Sequence, residues 1–403
     1  MATRRAVLGL LGAAVAARRA PWAAPPPSVP PAAAAPARVT RIRTLQTFRL
    51  ADALLVRLED EDGTVGWGEA APDSIPVAEA FIRHELARFV IGEDPFDVER
   101  IWDRMFYGNH DLGPGGALPN AIAGIDLALW DLMGKRLALP ACDLLGGRYR
   151  DRIRAYGSFG IGTNRRLTPA DAAAKARKFV QAGFTVVKLR MQIRELQQDP
   201  QPDYVLDYAR AVRAAIGPEV KLMVDINNGW TPARAIELGK RLQGELDVWF
   251  LEEPVSDQTH RLTAEVVRAL DVPIIAGEKE YTRWQLRELI TDAEPDYLNP
   301  DTIKAGGLTE MKKIAAIAQA YDKPIICHNT RPALGTAASL HFVASIRNCG
   351  PVIEYPDVDE FRAQLALFPE PLVFREGFLH VPMRPGLGLT PDEAAVRRAV
   401  VPS

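Results

Sequence analysis

Three short segments decide the fold of this chain: KLMVDIN (221–227), VWFLEEP (248–254) and PIIAGE (273–278). Each segment is an apolar run that ends in an acid, and the acids are Asp225, Glu252 and Glu278. The intervals of 27 and 26 residues leave room for one helix between successive strands. Strands that alternate with helices in this way are typical of a parallel sheet.

The same rhythm extends over residues 151–369. Further apolar runs lie at 153–160, 185–190, 297–299, 325–328 and 352–354. Eight parallel strands joined by right-handed connections predict a TIM-like (β/α) barrel of the α/β class. The last unit has no room for a full helix, so we expect a modified barrel of seven to eight units.

The flanking regions have different patterns. Residues 39–150 combine a hairpin pattern at 53–69 with an apolar-faced helix at 119–137, which predicts an α+β capping domain. The tail, residues 370–403, is expected to pack back on that domain.

Residues 1–38 read as an export signal followed by an Ala/Pro-rich leader. Arg4 and Arg5 precede a short apolar segment, which resembles a twin-arginine signal and predicts a periplasmic protein. The alternative is a leader of biased composition on a cytoplasmic protein.

Composition excludes several classes of function. The 403 residues carry a formal net charge of −2, so no basic field indicates nucleic-acid binding. No run of about 20 apolar residues follows the N-terminal segment, so the sequence does not predict membrane insertion of the mature protein. Three scattered cysteines do not make a disulfide framework.

The acids at the strand ends predict a metal site. Neighbouring strands are about 4.8 Å apart, so Asp225, Glu252 and Glu278 should converge at the carboxyl end of the barrel. Like charges that close require a proton or a cation between them, and carboxylate oxygens suit a hard divalent ion. The alternative is that these are surface acids at the starts of loops. Three acids in register make that alternative less favoured.

Further ionisable residues follow the other strands. Asp301 and His328 end adjacent strands, where the acid can orient the imidazole of a general base. Lys188 and Arg190 share one strand face and could bind a substrate carboxylate or simply balance charge. Glu354 ends the last strand, where it could donate to an enolate if protonated, or bind a hydroxyl.

Beyond these residues, the chain resembles the enolase superfamily over about residues 40–390. The matching motifs are AGIDLALWD (123–131), LLGG (144–147), VDIN (224–227), LEEP (251–254), AGE (276–278), KAGG (304–307) and PGLG (385–388). The muconate cycloisomerase-like branch has a lysine base where this chain has Asp301. The mandelate racemase-like branch has an aspartate there and a histidine on the next strand, as here.

The resemblance implies the chemistry. One Mg²⁺ is expected on Asp225, Glu252 and Glu278, with His328 removing a proton alpha to a carboxylate. The racemase has a second lysine base where this chain has Arg190, whose high pKa disfavours that role. We therefore expect a sugar-acid dehydratase, a hydro-lyase that forms a 2-keto-3-deoxy acid. The alternatives are a racemase or epimerase of a 2-hydroxy acid and a catalytically silent binding homologue.

Substrate specificity is expected to come partly from the capping domain. Tyr107 and His110 lie in a polar stretch that could reach the site, although an ordinary loop explains it equally well. Asn227 is predicted to position a substrate hydroxyl. The resemblance further implies a homo-oligomer acting on a small-molecule sugar acid or 2-hydroxy acid.

Overall fold

The computed structural model describes residues 40–161, 167–191 and 198–401, and residues 40–403 form one compact unit. The predicted leader therefore lies outside the described residues. Within them, no helix is both long and apolar enough to cross a membrane.

An antiparallel three-stranded sheet covered by helices forms the first part of this unit. Its elements are β1 (Ile42–Arg49), β2 (Leu54–Asp60), β3 (Val65–Ala70), α1 (Ile75–Ala80), α2 (Val98–Tyr107), α3 (Ala117–Leu137) and α4 (Ala141–Leu144). Asp60 closes the β2–β3 turn, because its Oδ1 accepts from the backbone N–H groups of Asp62 and Thr64 at 3.0 and 2.8 Å. Helix α3 lies directly on β3, where a Cβ on Gly68 would come within 2.1 Å of the Gly124 carbonyl oxygen.

The next part is the predicted alternation of strands and helices. Its first half contains β4 (Arg152–Ile161), α5 (Pro169–Gln181), β5 (Val186–Met191), α6 (Val205–Ile216), β6 (Lys221–Asp225) and α7 (Pro232–Leu246). Its second half contains β7 (Val248–Glu252), α8 (His260–Ala269), β8 (Ile274–Ala276), α9 (Arg283–Asp292), β9 (Tyr297–Leu298), α10 (Leu308–Ala320), α11 (Leu334–Ala344) and β10 (Ile353–Pro356). Threonines begin α5, α7 and α9, and each side chain accepts from a backbone N–H in the first turn.

Strands β4 to β9 pair in parallel in chain order, and β10 returns to pair with β4. Between β9 and β10 the ring continues only through isolated bridges, at Ile325 and His328. The seventh predicted strand is thus present as two bridging positions rather than a ladder. The fold class is confirmed, although backbone hydrogen bonds do not close the barrel continuously.

The tail contacts both preceding parts. Helix α12 (Arg362–Leu365) precedes the tail, whose elements are β11 (Phe374–Arg375), β12 (Phe378–His380) and α13 (Glu393–Ala399). Strand β12 pairs antiparallel with β4, so part of the tail joins the barrel sheet. Further on, Leu387 N donates to Asp131 Oδ1 at 2.8 Å, and Glu393 pairs with Arg57 at 3.1 Å. These contacts hold the chain end against the first sheet, and the exact domain limits remain predictions.

Candidate active site

The three predicted metal ligands are buried neighbours at the carboxyl ends of β6, β7 and β8. Asp225 lies in register with Glu252, and Glu278 follows β8 by two residues. However, among the described residues no three Asp, Glu, His or Cys side chains are close enough together to hold an ion directly. The predicted convergence on a single point is therefore not seen in this arrangement.

Lysines pair with the two glutamates among these acids. Lys188 Nζ lies 2.8 and 3.0 Å from the two oxygens of Glu252. Lys279 Nζ lies 2.6 Å from Glu278 Oε1 and also contacts Glu253. Each of these acids thus has a counter-ion of its own.

The protonation of the acids follows from burial and these neighbours. Burial raises the pKa of Glu252 to about 8, although Lys188 opposes the shift and Asp225 adds to it. Burial also raises the pKa of Asp225, with Lys188 opposing and Glu278 contributing. For Glu278, burial acts in the same direction, but His328 and Lys279 outweigh it and the pKa lies well below its usual value. The carboxylates therefore feel each other's charge, as a cation site requires.

Unpaired oxygens show what this cluster can accept. Within the described chain, Asp225 Oδ2, Asn227 Oδ1 and Asn299 Oδ1 are buried without a hydrogen-bond partner. Asn227 Nδ2 points to Glu278 at 3.5 Å, and Asn299 Nδ2 donates to Glu252 at 3.1 Å. These oxygens are buried without a hydrogen-bond donor and lie beside three carboxylates. Such a group of oxygens is the set of ligands that a hard divalent cation prefers. We call Asp225, Asn227, Glu252, Glu278 and Asn299 the acceptor cluster.

A histidine–aspartate pair borders the acceptor cluster. His328 Nδ1 lies 2.6 Å from Asp301 Oδ2, and Nε2 lies 2.8 Å from Glu278 Oε2. Asp301 Oδ1 accepts from Ile303 N at 2.8 Å, which fixes the carboxylate. Burial lowers the pKa of His328, but Glu278 and Asp301 outweigh it and hold that pKa well above its usual value. The imidazole is thus oriented by Asp301, with Nε2 directed at the acceptor cluster.

Lys188 and Glu354 lie on the other side of this cluster. Lys188 is 1% exposed and sits 2.9 Å from Glu354 Oε1 as well as against Glu252. Burial raises the pKa of Glu354, but Lys188 and His328 outweigh it and lower it overall. Glu354 Oε2 accepts from Asn329 N at 3.0 Å. Glu354 is therefore held in its charged form, which favours accepting from a hydroxyl over donating as a protonated acid, and its role stays a prediction.

Arg190 is half-buried and pairs in register with Asp225, whose carboxylate feels its charge. It joins the site as a cation beside the acceptor cluster.

The predicted capping residues lie away from these groups. Tyr107 is 52% exposed, and its ring contacts Trp284 and His110 at centroid distances of 6.3 and 6.4 Å. His110 is exposed and its Nδ1 lies 3.0 Å from the Tyr107 carbonyl oxygen. Their described contacts join them to each other and to the start of α9. The structure therefore does not bring Tyr107 and His110 to the carboxylates, and the prediction that they reach the site is not supported by their contacts.

Three polar residues of the site were missed from the sequence: Lys279, Asn299 and Asn329. Each directly neighbours a residue at the carboxyl end of a barrel strand, which is the signal that could have identified them. Lys279 contacts its chain neighbour Glu278, whereas the contacts of Asn299 with Glu252 and of Asn329 with Glu354 arise between strands.

Comparison with known proteins agrees with this geometry. Residues 29–146 match the N-terminal domain of mandelate racemase / muconate lactonizing enzyme, and residues 171–395 match the enolase C-terminal domain-like family. The chain is 32% identical to the arabinonate dehydratase of Saccharolobus solfataricus, over 84% of this chain and 88% of that protein. It is also 32% identical to the D-galactarolactone cycloisomerase of Agrobacterium fabrum, over 87% and 91% of the two chains.

A solved structure gives the same result. The mandelate racemase/muconate lactonizing protein from Paracoccus denitrificans PD1222, complexed with magnesium, superimposes with a TM-score of 0.83. It is 32% identical, and the match covers 89% of this chain and 98% of that one. The family matches span most of the chain, and the relatives are covered over nearly their whole length. This chain therefore belongs to the enolase superfamily, in the group of mandelate racemase and muconate lactonizing enzyme.

Proposed function

We propose that the protein is a Mg²⁺-dependent dehydratase of a sugar acid. The observation that carries the proposal is the Asp301–His328 pair directed at the acceptor cluster, with Arg190 where a second base would stand. The reaction removes the proton at C2 of a 2,3-dihydroxy acid and the hydroxyl at C3, giving water and a 2-keto-3-deoxy acid.

His328 is assigned the proton transfers. Asp301 accepts from Nδ1, and Nε2 faces Glu278 in this structure. To act as the base the ring would be neutral with Nε2 released from Glu278, and taking the C2 proton would then make it an imidazolium. The same imidazolium can return that proton to the leaving C3 hydroxyl, so one histidine serves both steps and the proton balance closes.

The cations of the site are assigned to the substrate carboxylate. Lys188 is buried and charged, since Glu252 and Glu354 outweigh its burial and hold its pKa well above the usual value. Mg²⁺ held by Asp225, Glu252 and Glu278 would supply the positive charge that stabilises an enediolate. Arg190, Asn227 and Glu354 are positioned to hold substrate hydroxyls.

The relatives support the reaction class. Arabinonate, D-galactonate and D-xylonate dehydratases are among proteins 30 to 32% identical over most of this chain, which agrees with the hydro-lyase predicted from sequence. Isomerisation is the second candidate, because one of the relatives is a cycloisomerase. An isomerisation releases no water, which separates it from dehydration. Periplasmic export and self-association remain proposals from the sequence.

The test combines a substrate screen with isotope exchange. Sugar acids are incubated with the full chain and Mg²⁺ in D₂O, and products are identified by mass and by 2-keto acid detection. His328→Asn should lower turnover and C2 exchange by roughly a hundredfold to ten-thousandfold. His84→Asn is the matched control, since His84 is exposed on the first part of the chain. Undiminished exchange in His328→Asn would remove His328 from the base role, and products that gain deuterium without losing water would select the isomerase.

A further inference from the structure

Arg331 is a buried arginine, shortly after the seventh barrel strand, with two guanidinium nitrogens that lack hydrogen-bond partners in the described chain. Arg331 is only 9% exposed. In the described part of the chain, neither its Nε nor its Nη1 has a hydrogen-bond partner. Buried donors are normally paired, because an unpaired one loses its hydration without compensation. This guanidinium therefore has unused binding capacity.

The backbone fixes Arg331 beside the candidate active site. Arg331 N donates to Asn329 Oδ1 at 3.2 Å, and Asn329 in turn donates to Glu354. The Arg331 carbonyl accepts from Thr336 Oγ1 at 2.6 Å. Arg331 follows His328 by three residues, so their Cα atoms are at most about 11 Å apart. A side chain as long as arginine can reach a substrate that contacts His328 at one end.

Glu69 balances the charge of Arg331 without using its donors. Glu69 is fully buried, and its two oxygens accept from Gly335 N at 3.1 Å and Gln364 Nε2 at 2.6 Å. Burial raises the pKa of Glu69, and Arg331 is the strongest influence opposing that shift. Phe361 lies against the guanidinium at 5.1 Å from the ring centroid. We call Glu69, Arg331, Phe361 and Gln364 the arginine cluster.

A purely structural role is the competing explanation. Gln364 Oε1 is also buried without a partner in the described chain, so a small rearrangement could pair it with one Arg331 donor. That pairing would leave the other donor unused. The experiment must therefore separate a role in balancing Glu69 from a role in binding substrate.

We propose that Arg331 binds the hydroxyl-bearing end of a sugar monocarboxylic acid, a proposal that rests on the dehydratase function above. Glu69 already compensates the guanidinium, so a second substrate carboxylate would add an uncompensated negative charge, whereas hydroxyl oxygens accept without adding charge. The substrate class is thus an aldonate rather than an aldarate.

Four variants of the full chain test the proposal, assayed with Mg²⁺ on the best aldonate found and on galactarate. Arg331→Met should raise KM for the aldonate by roughly tenfold to a hundredfold while kcat changes little. Arg331→Lys should recover part of that loss. Glu69→Gln should raise kcat/KM for galactarate relative to the aldonate by roughly tenfold. Arg268→Met, on an exposed face of α8, should change neither value.

The double variant Arg331→Met/Glu69→Gln decides between the two roles. If Arg331 binds substrate, removing both charges restores stability, measured by urea unfolding, but leaves KM high. If Arg331 only balances Glu69, the double variant restores KM as well, and the proposal is overturned. An unchanged KM in Arg331→Met would overturn it directly.

Calorimetric binding of D-galactonate in the presence of Mg²⁺ keeps the two proposals apart. A wild-type chain that binds the aldonate without turnover contradicts the dehydratase, while weaker binding by Arg331→Met still supports the role of Arg331. If Arg331→Met turns over the aldonate as well as the wild-type chain does, the dehydratase is supported and the role of Arg331 is contradicted. Neither binding nor turnover of any aldonate would reject both.

Discussion

The acceptor cluster and the arginine cluster are both buried, yet their unpaired atoms are of opposite kinds. Asp225 and two asparagines present oxygens without donors, whereas Arg331 presents N–H groups without acceptors. The first set suits a cation and the second suits neutral oxygens. The difference suggests that one part of the pocket organises charge for the reaction, while the other reads the uncharged part of the substrate.

The largest effect on activity is expected when the acceptor cluster loses a negative charge. Asp225→Asn keeps the side-chain shape but removes the negative charge, so kcat/KM should fall by roughly a thousandfold. Mg²⁺ should raise the melting temperature of the wild-type chain, chelation should reverse the effect, and the variant should respond far less. Activity assays and thermal unfolding with and without Mg²⁺ measure both effects.

Asp271→Asn is the control for that prediction, because Asp271 is exposed at the opposite end of β8. Its activity and its response to Mg²⁺ should match those of the wild-type chain. Activity within about tenfold of wild type in Asp225→Asn would show that the unpaired oxygen of Asp225 is not used for catalysis.

A buried histidine away from both clusters sharpens the comparison, because only one of its ring nitrogens is paired. Within the described chain its Nε2 is buried without a hydrogen-bond partner. His341 Nδ1 accepts from Cys142 N at 3.2 Å, and burial lowers the pKa of His341 to about 4. The folded state thus binds fewer protons than the unfolded state between about pH 4 and 6.5. Stability should be unaffected by this group above pH 6.5 and should be lost as pH falls towards 4, by roughly 2 to 3 kcal/mol.

Urea unfolding of wild type and His341→Gln at pH 7.5 and pH 4.5 measures that contribution. The variant should lose less stability than wild type over this interval, since it has no imidazole to protonate. Equal losses in the two proteins would show that His341 is accessible to protons in the folded state.

The smallest effect is expected from the capping residues. Tyr107→Phe and His110→Ala should each change kcat/KM by less than about twofold, because both side chains are exposed and contact each other and Trp284. Steady-state kinetics on the best sugar acid measure the change. A loss above tenfold would place these residues in the pocket after all.

Much of the architecture followed from local patterns. The ends of β6 at Asp225 and of β7 at Glu252 were predicted to the residue, because an apolar run ended by an acid is visible in a short window. The seventh strand was less regular than predicted, since only Ile325 and His328 make bridges there. Its apolar residues indicate burial, but burial does not specify a continuous ladder.

The sequence predicted which residues belong to the candidate site better than it predicted how their side chains are arranged. Asp301 and His328 were paired from their positions on adjacent strands, and the structure places them 2.6 Å apart. Among the described residues the three carboxylates do not form one group that could hold an ion, and Glu252 and Glu278 pair with Lys188 and Lys279. The sequence shows those lysines, but the choice of partner depends on side-chain positions across strands.

The sequence by itself determined the barrel, the family and the order of the ionisable strand ends, because each depends on residues close together in the chain. Tertiary structure alone decided which charges meet. Glu69 reaches Gly335 and Gln364 across 266 and 295 residues, and these contacts create the buried charge balance that leaves Arg331 free to donate. Such contacts depend on how sheet, barrel and tail pack together, since burial removes the water that would otherwise satisfy each group separately.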